Sequence, residues 1–431
     1  MQPIKTNSIP NFTILIFLFL FFTIGSLTPL NAQIPDRRST TSDEALGWLL
    51  APAPISISGV GSAVLLTGLL SNFYETTDVM AVTTLGQGDF DMTVMTLQEF
   101  PIVFENVLLY TGTYRQKIPF TAYERGIESD KDEFILPLSQ HNGIFGQIKL
   151  NFFERRWEVM YQMGEGTSHY LKVFDKDGNE FADVDHSERK YSSVSYATMV
   201  DLTDSRTDPR RGIRLGARAV IPTGNSDSDV SDYYTANYNM TAYLPMFDSD
   251  TLVFNAFRSS ATVTREGIID EAEMRQKKGL GCVQGMPLYE LCYAAETQKI
   301  KDQLAANRFG TAASLGGPNR LRAYDIGRFR AANSAYLGVE YRYNFSAEAN
   351  PVNLYFLGGI KTLFQFAFFA EQGSVHDDAS KLFEVSKPSY GAGFRAIISG
   401  LIYRFDIATG DEGTNFSLFI DYPMELNPIA S

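Results

Sequence analysis

The chain has 431 residues and a formal net charge of -13, so it lacks the net basic footprint that a nucleic-acid binder needs. It holds 32 Phe and 22 Tyr, with 44% apolar and 20% charged residues, an aromatic load above that of an ordinary soluble domain. Four histidines and two cysteines leave little material for a metal site, and no zinc, phosphate-loop or nucleophile-elbow motif occurs. Neither a cofactor nor a catalytic set is therefore expected.

Lys5 precedes the apolar run Phe12–Ile24, followed by Gly25, Pro29 and the small residue Ala32. This is the layout of a secretory signal, and the run is short for a spanning helix. Residues 1–32 are expected to be a signal peptide and 33–54 a short periplasmic segment, too little chain for a folded domain of ~50 residues. Later segments offer no run of ~18 uncharged apolar residues. The exported chain is then either soluble or crosses a membrane as strands.

From residue 55 onward the dominant signal is alternation with period two. At Trp157–Met163 the polar face carries Glu158 and Gln162; Asp175–Asn179 then reads as a hairpin turn. Ile213, Leu215, Ala217, Ala219 and Ile221 oppose Arg214, Gly216 and Arg218. The segment from about 265 to 333 does not alternate, and a loop of that length is functional or disordered. It holds Cys282 and Cys292, expected to close a small disulfide loop in an oxidising compartment.

Next, Leu337, Val339, Tyr341, Tyr343 and Phe345 oppose Tyr336, Gly338, Glu340, Arg342 and Asn344. Tyr403, Phe405 and Ile407 oppose Arg404 and Asp406, and Phe416, Leu418, Ile420 and Tyr422 close the series. A soluble sandwich accounts for any one of these strands. The set, with arginines, carboxylates and glycines on one face and Tyr and Phe on the other, reads as a polar lumen inside an aromatic lipid-facing wall. The expected fold is all-β, a transmembrane antiparallel barrel over 55–431 with the long loop folded inward.

Within that loop, Leu315–Ala331 reads LGGPNRLRAYDIGRFRA, four arginines in an acidic chain. With the following SAYLGVEYRY it resembles the sixth extracellular loop and next strand of the bacterial surface antigen family, the outer-membrane barrel superfamily of BamA, TamA and the two-partner-secretion translocators. The matching positions are Gly316, Gly317, Leu321, Arg322, Ala323, Tyr324, Gly327, Arg328, Phe329, Arg330, Glu340 and Arg342. Asp201–Gly212 resembles the family's D-x-R-x-x-P-x-x-G turn. Phe369–Gly373 resembles its F-x-D-x-G strand with Glu371 as the acid, and Gly391–Arg395 with Arg404–Asp406 its last strands.

The resemblance implies 16 strands and a loop arginine, Arg322, that folds back to pair with Glu371, with Glu340 nearby. Arg342, Arg395, Arg404 and Asp406 are the other expected lumen partners. Ala323 stands where the motif has glycine, which makes a left-handed backbone there uncomfortable; Ala331 stands where Asp is usual, and seven residues follow Met424. The resemblance implies protein translocation, insertion or lipid perturbation, with outer-membrane lipid, the barrel-assembly machinery and a client protein or second copy as partners. A structural or surface-interaction barrel and a passive pore are the other readings.

Overall fold

The structure, a computed structural model, describes residues 47–420 apart from 74–76, 86–89, 182–183, 185, 207, 224–228, 248, 280–281, 283, 286–288, 346–349, 355–356 and 399–400. Its strands are β1 (Gly47–Ile57), β2 (Gly61–Phe73), β3 (Thr77–Thr84), β4 (Asp91–Pro101), β5 (Val107–Pro119) and β6 (Ala122–Tyr123). There follow β7 (Phe134–Phe152), β8 (Trp157–Asp175), β9 (Arg189–Asp201), β10 (Gly212–Thr223), β11 (Asp232–Met246) and β12 (Asp250–Arg265). The last set is β13 (Asn333–Asn344), β14 (Asn350–Leu354), β15 (Leu357–His376), β16 (Lys387–Ile398), β17 (Leu401–Gly410) and β18 (Gly413–Ile420).

The strands pair antiparallel in sequence order, with β5 on β7 and β13 on β15, and β1 pairs with both β2 and β18, which closes the sheet into a barrel. Closure leaves no free edge. The two-residue β6 and the five-residue β14 continue β5 and β13 along β7 and β15, so 16 strands make the wall. Among the described residues, no helix is long and apolar enough to cross a membrane.

Alternation sets which way each side chain points. On β15, Phe364, Phe366 and Phe368 are exposed on the outside, while Leu363, Gln365, Ala367 and Phe369 are buried inside. On β10, Ile213 and Leu215 face out and Arg214 and Arg218 face in; on β17, Phe405 and Ile407 face out and Arg404 and Asp406 face in. Neighbouring rings on the outside touch, as in Phe345–Phe366 at 5.0 Å and Phe366–Phe394 at 5.5 Å between centroids. Short turns join strands at one end and long loops at the other, which marks the loop end as extracellular.

Among the described residues the wall already includes Gly47, eight residues before the expected boundary at 55, and Pro52 and Pro54 in APAPI are accommodated in β1. Pairing to β2 is continuous from Gly47↔Ser71 to Ile57↔Gly61. The two prolines share one parity, so their missing N–H groups fall on one side of the strand. On the side away from β2, among the described residues, β1 pairs through Ser56↔Leu418 with β18 and through Trp48↔Gly358 and Leu49↔Leu357 with β15. The signal segment, and Tyr422 and Met424 of the last strand, lie outside the described residues.

The non-alternating segment between β12 and β13 is not structureless. It forms α1 (Glu271–Lys278) and α2 (Tyr289–Phe309) before turning back into the barrel. Asp270 caps α1 by accepting from Glu273 N at 2.9 Å. Arg275 of α1 binds Glu296 of α2 at 2.7 Å. Asn307 fixes the end of α2, its Nδ2 donating to the carbonyls of Asp229 and Ile268. The absence of a strong apolar stripe in YELCYAAETQKIKDQLAANRF hid α2 from period-based reading. Cys282 of the linker after α1 is joined by a disulfide to Cys292 in the first turn of α2.

Candidate functional site

After α2 the loop descends as residues 310–332, here the plug. Its apolar body is Leu315, Leu321, Ala323, Tyr324, Phe329 and Ala331, packed on Phe257, Tyr336, Phe369 and Val375 of the wall. Gly316 and Gly317, at φ 105° and 104°, let the chain double back; a Cβ on Gly316 would meet the Asp325 carbonyl at 2.2 Å. Leu315 and Phe329 then exchange backbone hydrogen bonds at 2.9 and 3.0 Å, pinching the plug into a narrow hairpin. The shape of the plug thus rests in part on contacts within its own backbone.

At the tip, Leu321 rather than Ala323 takes the left-handed backbone, at φ 55°. Ala323 is buried, and its N–H donates to Ser389 Oγ at 3.1 Å. The alanine in the glycine position is therefore accommodated because the unusual torsion lies two residues earlier. Leu321 in turn presses on Gly373, where a Cβ would lie 2.7 Å from Leu321 Cδ1 and 2.8 Å from Leu315 Cδ1. This contact explains the glycine that ends Phe369–Gly373.

Arg322 stands next to this strained residue, with its side chain wholly removed from solvent. Its Nε donates to Glu371 Oε1 at 2.9 Å and its backbone N–H to Glu371 Oε2 at 2.8 Å. Nη1 reaches Glu340 Oε2 at 3.0 Å and Asp406 Oδ2 at 3.4 Å, and the guanidinium lies 3.2 Å from the centre of the Phe369 ring. Glu371 also accepts from Tyr336 OH and Ser389 Oγ, at 2.8 and 2.9 Å. One side chain of the plug thereby joins three different strands, β13, β15 and β17.

The other expected lumen residues build the wall side of this site. Arg342 Nε donates to Glu340 Oε1 at 2.8 Å, Arg395 donates to Glu340 and Gln365, and Arg404 donates to Asp406 and to Asn319 of the plug. Four guanidiniums thus surround three carboxylates, all buried. Burying these charges is tolerable only because each carboxylate is shared between several donors. Removing one partner of such a pair costs about 3–5 kcal/mol.

The remaining loop arginines serve separate contacts. Arg320 stacks over Phe257 at 3.8 Å. Arg328 grips Glu412 with a two-pronged contact, at 2.9 and 2.8 Å, and also binds Ser129. Arg330 donates to the Tyr123 carbonyl. Gly327 is left-handed at φ 70° between them. Tyr324 OH donates to the Pro388 carbonyl at 2.8 Å, and burial pushes its phenol up to about 12.

Several contacts had no signal in the sequence. Asp325 accepts from Ser58 Oγ and Tyr123 OH, and Arg125 binds Asp377. Apart from Tyr123 of β6, these residues lie in loops whose mutual approach only the closed barrel decides. Glu412 sits in the tight β17–β18 turn, where a single acid looks like ordinary turn polarity.

A second buried charge cluster occupies the periplasmic mouth. The β7–β8 turn runs through three consecutive left-handed residues, Phe153, Glu154 and Arg155, which aim Arg155 inward at Glu99. Glu158 of β8 binds Arg206 at 2.7 Å. Arg206 belongs to the D-x-R-x-x-P-x-x-G turn, in which Asp204 Oδ1 accepts from the N–H groups of Arg210 and Arg211, each at 3.0 Å. A Cβ on Gly212 would lie 2.3 Å from the Leu202 carbonyl, so the closing glycine is sterically required. Among the described residues, no group of three His, Cys, Asp or Glu side chains is placed to hold a metal.

An apolar exterior, a polar interior and an even number of strands in a closed ring are the features of outer-membrane barrels. The chain is an outer-membrane β-barrel. No family model matches it, and no curated protein matches it. Among solved structures, BamA from Haemophilus ducreyi lacking POTRA domains 1-3 is similar at 10% identity, covering 88% of this chain and 69% of that one, with a TM-score of 0.44. CdiB from Escherichia coli is similar at 10% identity over 85% and 61%, TM-score 0.49, and CdiB from Acinetobacter baumannii at 11% over 86% and 59%, TM-score 0.44. The barrel thus spans less than two thirds of either CdiB chain. The assignment of the fold stands on the strand pairing of this barrel itself.

Proposed function

We propose that this barrel is a plug-latched conduit of the surface antigen type, in which the loop holding Arg322 keeps the lumen closed until a client displaces it. One observation carries the reading: Arg322 is fully buried and is held by Glu371, Glu340 and Asp406 from three strands. A latch made of one removable arginine can be undone as a unit, because the carboxylates stay on the wall. The motif resemblance supports protein insertion or translocation, with local lipid perturbation as its variant. In this reading residues 1–32 direct export, the assembly machinery places the barrel, and the work done is non-enzymatic.

The test is conductance in planar bilayers together with protease access to the loop. The wild-type chain should remain mostly closed, and Arg322→Ala should raise the open fraction and expose residues 310–332 to cleavage. Unchanged conductance with an unchanged cleavage pattern would refute the latch. A steady, solute-dependent current through the wild-type chain would support the passive-pore reading instead.

A further inference from the structure

The outward faces of β9 to β13 are mainly apolar, and Arg258 interrupts them. It pairs in register with Tyr238 on one side and Ala335 on the other, and it shares its face with the exposed Phe254. Ala335 is the third residue of β13, counted from the loop end, so Arg258 lies in the extracellular half of the wall. Beside it runs a groove of about 570 Å³. Small residues Ala217, Ala256 and Ala335 line it together with the exposed Leu215, Met240 and Leu337. Phe383 of the β15–β16 loop also lines it, in a left-handed conformation with its N–H on Ser374 Oγ at 3.0 Å.

The guanidinium is only partly satisfied. Its Nη2 donates to Asn333 Oδ1 at 3.0 Å, and its buried Nη1 has no hydrogen-bond partner. Asn333 is itself fixed, its Nδ2 donating to the Asp377 carbonyl at 3.0 Å. The Asp377 carboxylate is engaged by Arg125 and by the N–H of Ala332. A cation held in place on a lipid-facing wall, with a free donor and an apolar trough beside it, is complementary to an amphiphile with an anionic head. Arg presents a fork suited to phosphate oxygens.

We propose that this groove binds a phosphorylated lipid of the extracellular leaflet, with its phosphate on Arg258 and an acyl chain lying along Ala217 and Ala256. The proposal is independent of the plug reading, because the groove is on the opposite side of the wall from the latch. It assigns the surface to lipid because it is continuous with the lipid-facing band. The phosphate fixes the head at one height, and the small side chains leave room for the chain.

The full-length barrel, purified in detergent, is incubated with phosphatidylglycerol or with diacylglycerol of the same acyl chains, and retained lipid is counted by native mass spectrometry. The wild-type barrel should retain one phosphatidylglycerol, with diacylglycerol held at least tenfold less. Arg258→Gln should lower phosphatidylglycerol retention about tenfold. Ala256→Phe should do the same while leaving the guanidinium in place, and Ala335→Leu serves as a second block if the first folds poorly. Heat-modifiable migration on gels reports folding of each variant. Equal retention by Arg258→Gln, or equal retention of diacylglycerol, would overturn the proposal. So would displacement by inorganic phosphate at equal concentration, which would make it a free-anion site.

Discussion

The lumen holds two buried charge clusters of similar chemistry and different connectivity. At the periplasmic mouth, Glu158 is bound by Arg206, and Arg155 reaches Glu99; all of these residues lie on strands or the short turns between them. At the plug, the central cation comes from a long loop and its carboxylates come from the wall, 18, 49 and 84 residues away. The first arrangement ties the rim to itself and can be lost only by deforming the barrel. The second joins two bodies and can be lost with the barrel intact. The same ion-pair chemistry therefore acts as a brace in one place and as a latch in the other.

Matched substitutions sharpen that contrast. Glu371→Gln should weaken plug docking by about 3–5 kcal/mol, since it leaves Arg322 short of a partner in a dry site. The expected result is a higher open fraction in bilayers with an unchanged urea midpoint for the barrel. Glu158→Gln should do the reverse, lowering the urea midpoint and leaving conductance alone. If both variants moved the same readout, the distinction between brace and latch would be lost.

A smaller effect is expected from packing. Gly373→Ala would place a methyl group 2.7 Å from Leu321 Cδ1 and should cost about 1–3 kcal/mol of plug docking. Faster cleavage of the plug by added protease would register it. Gly212→Ala, the counterpart at the mouth, should leave plug cleavage at the wild-type rate.

The smallest effect is a pH dependence of plug docking. Burial pushes the Tyr324 phenol up to about 12 when docked, against about 10 when released, because it disfavours the phenolate. The docked state therefore keeps its proton longer, and docking should weaken as pH rises from about 10 to about 12. Tyr324→Phe should reduce that slope in plug cleavage. A slope unchanged in the phenylalanine variant would locate the titration elsewhere.

How far the sequence foretells this architecture differs between wall and loop. The wall is legible because a period of two is a local property: Leu337 and Tyr343 face out, and Glu340 and Arg342 face in. The latch residues were legible only through motif resemblance, since nothing local in Arg322 distinguishes it from Arg320 or Arg328. The three arginines separate only through partners far away in the chain. Alpha-helical structure in the loop escaped notice because its cohesion comes from Asn307, Arg275 and the disulfide rather than from an apolar stripe. The exchange of backbone strain from position 323 to Leu321 depends on Gly373, a residue on another strand, and no reading of the loop alone could place it.

The plug also touches both sides of the seam where β1 meets β18. Ile326 N donates to the Ser58 carbonyl just after β1, and Arg328 binds Glu412 just before β18. These contacts coexist only when the first and last strands stand side by side, so protection of residues 326–328 from protease would report that the barrel has closed.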